Sequence, residues 1–145
     1  MTATPPSDFF ELSAILTGFR VRTLRLAQQD ADFYGVFEKV YGSAQLGDLM
    51  AFYTARRQAG SAAQQIGEAI LADGSPVAET ARALMVFWYL GQIAPHDGSE
   101  DLHIPSANHY AQALAWRAVQ AHPTGVSTLR FGYWATPPAP FDDYL

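Results

Sequence analysis

Apolar side chains recur at three- and four-residue intervals along most of the chain, the spacing that places them on one face of a helix. Over residues 8–27 the pattern runs Phe9, Leu12, Ile15, Leu16, Phe19, with Ser7 or Asp8 as N-cap and Glu11 in the first turn. Gly18 interrupts it. A glycine inside a helix costs about 1 kcal/mol relative to alanine, so Gly18 either admits close packing or marks a bend. A second helix starts at Asp30, carries Phe33, Val36, Phe37 and Val40, and ends at Gly42. Leu46, Leu49, Met50 and Tyr53 define a third, reaching residue 58. A short helix over residues 62–72 turns Ile66, Ile70 and Leu71 inward. Asp73-Gly74-Ser75-Pro76 then reads as a stop and a start: Gly74 suits the left-handed position after one helix, Ser75 caps the next, and Pro76 opens it.

The helix over residues 76–90 contains seven consecutive apolar or aromatic residues, Leu84 to Leu90. Such a run also fits a buried strand, but its capped start, its length and the following Gly91 favour a helix. Apolar on all sides, it is expected to be the central helix. Residues 93–105 are a loop with Pro95, Gly98 and Pro105 and the acids Asp97, Glu100 and Asp101. Ser106 caps a last helix, SANHYAQALAWRAVQAH, whose contact face holds Tyr110, Ala113, Leu114, Ala118 and Ala121, with Trp116 at its edge. Pro123 and Gly125 end it. The expectation is all-α: a bundle of five to six helices around a central apolar helix, one domain over residues 1–145, with an extended tail over residues 123–145 packed on the helices or on a partner.

Composition narrows the function. The 145 residues are 49% hydrophobic and 13% aromatic but only 16% charged, against roughly 25% charged in an average soluble domain. This fits a small well-buried domain or a surface partly covered by a partner. The net charge is −5, and the cations are eight arginines and Lys39. Arg20, Arg22 and Arg25, with Arg56 and Arg57, make too small a basic footprint for nucleic acid. The absence of cysteine excludes disulfides, thiolate metal sites and a cysteine nucleophile in this chain. No run approaches the ~18 apolar residues of a membrane span.

Chemistry-bearing patterns are few. His96, His103, His109 and His122 lack the i, i+3 or i, i+4 spacing of helical metal ligands, so surface or capping roles are expected for them. Ser13, Ser75 and Ser106 fall on helices or caps, and neither a nucleophile elbow nor a Gly-rich phosphate loop is present. Asp142 and Asp143 are adjacent tail acids, expected to be solvated. An enzyme built on His96, His103 or His109 with Asp97 and Asp101 is the remaining catalytic alternative. The tail is different. FGYWATPPAP holds Phe131, Tyr133 and Trp134 and then Pro137, Pro138 and Pro140. Aromatic residues are enriched at interface cores, and prolines reduce the entropy lost on ordering. The tail therefore reads either as a strap over the chain's own helices or as a docking arm.

Four blocks, taken in order, resemble one family. They are LSAILTGF (residues 12–19), LMVFWYLGQI (84–93), HYAQALAW (109–116) and FGYWATPP (131–138). The chain resembles the small subunit of membrane-bound FAD-dependent sorbitol and sugar dehydrogenases. The resemblance implies an accessory subunit without a redox group, paired with a large flavoprotein that holds FAD, oxidises a sugar or polyol, and passes electrons to a cytochrome c or quinone. It implies assistance to maturation, stability or export of that flavoprotein, and a periplasmic location once a signal is removed. MTATPPSDFF holds no twin-arginine signal, and a chain complete as given implies a cytoplasmic complex. Phe131, Gly132, Tyr133, Trp134, Pro137 and Pro138 are the expected partner contacts. The alternative is a stand-alone helical module that binds a protein or a small apolar ligand.

Overall fold

The computed structural model describes residues 4–72, 74, 76–120, 142 and 145. These residues form eight helical segments: α1 Ser7–Thr17, α2 Val21–Asp30, α3 Phe33–Val40, α4 Ser43–Gln58, α5 Ala63–Ala72, α6 Pro76–Leu90, α7 Ala107–Gln112 and α8 Leu114–Ala118. The all-α expectation holds. Among the described residues no strand forms; Ile93 and His103 make one isolated antiparallel bridge within the loop. No described helix is long and apolar enough to cross a membrane.

Every expected helical stretch is present, and two are each broken in two. The first break is at Gly18, whose φ of 80° is left-handed. Its N–H still reaches the Ala14 carbonyl, at 2.9 Å. Thr17 fixes the corner: its hydroxyl donates to the Ser13 carbonyl (2.8 Å) and accepts from Phe19 N–H (3.2 Å). The turn drives Phe19 into the core, where its ring meets Tyr89 edge-on. The cap of α1 also differs from expectation. Pro6 occupies the N-cap position, and Asp8 lies in the first turn, where with Glu11 it pairs with Arg57 at 3.0 and 2.7 Å. The helix expected to start at Asp30 starts at Phe33 instead, and Asp32 is its cap, accepting from Gly35 N–H at 2.8 Å.

The second break is at Ala113, which is extended at ψ 133°. It leaves carbonyls at the end of α7 without helical donors. Side chains of α8 supply them: Trp116 Nε1–H donates to the Tyr110 carbonyl at 2.8 Å, and Arg117 donates to the Gln112 carbonyl at 3.1 Å and to its side-chain oxygen at 2.9 Å.

The core is aromatic and centred on Trp88. Its indole stacks on Phe33 at 4.4 Å and 16°, with Phe9 and Phe87 close by. Such ring pairs add roughly 0.5–1.5 kcal/mol each beyond the area they bury. Trp88 Nε1–H donates to Ser13 Oγ at 3.0 Å, so the one polar atom of the indole is satisfied inside the core. Helix α6 packs against α1, α3, α4, α5 and α8, as a central helix should. It is not buried on all sides, however. Leu84, Phe87 and Trp88 are buried, Met85, Val86 and Tyr89 are half-buried, and Leu90 faces outward. Leu71 of α5, expected inward, is also exposed, while Ile66 and Ile70 are buried. Gly91 ends α6 at φ 69°, donating to the Phe87 carbonyl.

Candidate functional site

Among the described residues the histidines and loop acids do not converge on one site. His96 accepts from the Gln45 amide at Nε2 (3.1 Å) and donates from Nδ1 to the Tyr41 carbonyl (2.6 Å), which ties the loop to α3 and α4. His103 is exposed, and its backbone forms the bridge to Ile93. The Asp97 carboxylate accepts from Ser99 N–H at 2.9 Å, and hydrogen bonds from Ser99 hold it below the usual carboxylate range. These are turn and tether contacts. No group of three or more metal-ligating side chains converges among the described residues. His122 lies outside the described residues, as do Ser75 and Asp143.

His109 departs from its expected surface or capping role. It is 5% exposed, stacked on Phe87 at 5.3 Å and edge-on to Phe33 at 4.9 Å. Its Nε2–H donates to the Asp32 carbonyl at 3.1 Å. That leaves Nδ1 to accept from the Ser106 hydroxyl at 2.7 Å, while Ser106 Oγ accepts from His109 N–H at 3.2 Å. Both ring nitrogens are thus satisfied in the neutral imidazole. Burial pushes its pKa below the ordinary histidine value, against the opposing pull of the Asp32 carbonyl and charge. The residue is a neutral tie between α7, α6 and the start of α3. Its only sequence signal was the three-residue spacing from the capping Ser106.

The open chemistry lies at the far end of α6. Here the last turn of α6, Ile104 and the α7–α8 corner enclose an apolar hollow of about 300 Å³. Tyr89, Tyr110 and Trp116 give it aromatic walls, Leu90 and Val119 its apolar rim, and Gln92 its one amide. A second hollow of about 230 Å³ adjoins it through Gln92 and is lined by Tyr41, Val86, Pro95, His96 and Leu102. The Ala113 break builds the first hollow, because it swings Trp116 back over Tyr110, ring to ring at 5.3 Å. The sequence marked Trp116 only as the edge of a helical face. The exposure of Leu90 was hidden inside an apolar run.

Phe131, Gly132, Tyr133, Trp134, Pro137 and Pro138, the expected partner contacts, lie outside the described residues, as does the 123–145 tail apart from residues 142 and 145. Comparison of the chain with protein-family models, with curated proteins and with solved structures finds no match.

Proposed function

We propose that this chain is the non-catalytic small subunit of an FAD-dependent sugar or polyol dehydrogenase of the sorbitol type, and that it assists maturation, stability or export of the catalytic flavoprotein. The observation that carries the reading is the ordered set of four sequence blocks. Three of them fall on described residues, and the second touches both the first and the third. Ser13 of the first block accepts from Trp88 of the second, and the Tyr89 hydroxyl donates to the Thr17 carbonyl. Gly91 of the second lies so close to the third that an added Cβ would sit 2.8 Å from the His109 carbonyl. A shared fold would keep such residues together as a set. On this reading FAD and substrate belong to the large subunit, with a cytochrome c subunit or quinone receiving the electrons, and this chain supplies surface rather than chemistry.

A second reading, a stand-alone helical module for a protein or small apolar ligand, is favoured by the apolar hollow at the end of α6. One experiment separates the two. The chain is co-expressed with a large FAD-dependent dehydrogenase subunit of the sorbitol type and purified through a tag on this chain. The expected result is a yellow, stoichiometric complex that oxidises a sugar or polyol with an artificial dye. Trp134→Ala is expected to lower the yield of complex while circular dichroism and Tm of the isolated chain stay unchanged. A folded, colourless chain recovered alone would sink the accessory-subunit reading in favour of the module.

A further inference from the structure

We propose that the face formed by the end of α6, residues 92–104 and α8 is a docking surface for a protein segment that carries apolar side chains flanked by lysine or arginine. The apolar half of the argument is clustering. Seven large hydrophobic side chains are exposed among the described residues, and four of them are here: Leu90 (47%), Leu102 (58%), Ile104 (41%) and Val119 (68%). Scattered apolar residues need no explanation, but a contiguous rimmed patch marks an interaction site. The two hollows meet at Gln92 and are both open to solvent. A small ligand is normally enclosed over most of its surface. Adjoining shallow hollows, each with room for a large apolar side chain, suit a segment that presents two anchors.

The charged half is complementarity. Gly98 and Leu102, on the wall of the second hollow, belong to the loop that carries Asp97, Glu100 and Asp101. All three acids are exposed, and none forms an ion pair with a described residue. Arg117, the cation of α8, is turned back onto Gln112. The face thus offers apolar hollows beside negative charge that no described residue pairs, which selects a cationic, apolar partner and repels an acidic one. The accessory-subunit reading names neither this surface nor this chemistry, and the inference does not depend on that reading.

The test uses the isolated full chain and two labelled amphipathic model peptides, one of leucine and lysine and one of leucine and glutamate, followed by fluorescence anisotropy. The lysine peptide is expected to bind saturably and the glutamate peptide not to bind. Leu90→Ser with Ile104→Ser is expected to weaken binding roughly tenfold or more, as loss of central apolar anchors does. Glu100→Gln with Asp101→Asn is expected to weaken binding and flatten its salt dependence. The control pair Glu68→Gln with Glu79→Gln, exposed acids on α5 and at the start of α6, should change nothing. All substituted positions are exposed, and circular dichroism verifies the fold of each variant. Failure of the lysine peptide to bind, equal binding of both peptides, or equal effects of face and control variants would overturn the proposal. So would a sedimentation profile in which wild-type copies pair and the Leu90/Ile104 variant does not, since the face would then belong to a second copy.

Discussion

His109 shows how one residue sets a pH response. Its folded-state pKa lies below the ordinary histidine value because burial disfavours the cation. In the unfolded chain it titrates near 6.5, so between the two values the unfolded state binds more protons than the native state. Stability from this residue is therefore complete above about pH 6.5 and is lost as pH falls through the lowered folded value. Urea denaturation between pH 7.5 and 5.5 should show declining stability in the wild type and a flatter profile in His109→Gln. A parallel decline in both would remove His109 as the cause. Ser13 makes a different kind of point. It is fully buried, and its hydroxyl accepts from the Trp88 indole. Ser13→Ala removes the acceptor and leaves a buried N–H without a partner, which costs about 1–3 kcal/mol. The midpoint of urea unfolding measures it, and an unchanged midpoint would mean that the indole finds another acceptor.

At the level of elements, two glycines end helices for different reasons, and substitution should separate them. Gly18 is left-handed with nothing within 4 Å of an added Cβ. Gly18→Ala should therefore cost only the backbone strain, about 1–2 kcal/mol. Gly91 is left-handed as well, but its Cβ would lie 2.8 Å from the His109 carbonyl, which is backbone and cannot rotate away. Gly91→Ala should cost clearly more than Gly18→Ala and lower Tm further; equal losses would mean that α7 gives way. The same contrast shows what the sequence disclosed. The start and end of α6 were legible because Pro76 and Gly91 punctuate it. Gly18 announced a bend. Ala113 announced nothing, since alanine flanked by glutamine and leucine is good helix sequence. The break there is held by Trp116 and Arg117 bonding to α7 carbonyls, an arrangement of side chains that spacing alone does not encode. The hollow built by that break was invisible for the same reason, and so was the outward turn of Leu90.

For the whole molecule, the position of α6 fixes the expected hierarchy of stability. A helix that packs on five others opens only when most of the structure opens, whereas α7 and α8 are six and five residues long and pack on fewer neighbours. Amide exchange should be slowest along residues 80–88 and faster by orders of magnitude in α7 and α8. Exchange in α7 as slow as in α6 would contradict this ordering. The enclosure of Trp88 has an optical consequence. Its ring is stacked on Phe33 and shut away from water, whereas Trp116 stands at the surface hollow. A chain with Trp116→Phe and Trp134→Phe would carry a single indole emitting from an apolar surrounding. Its fluorescence would redden only when the core itself admits water, giving an internal clock for folding that is blind to whatever occupies the outer face.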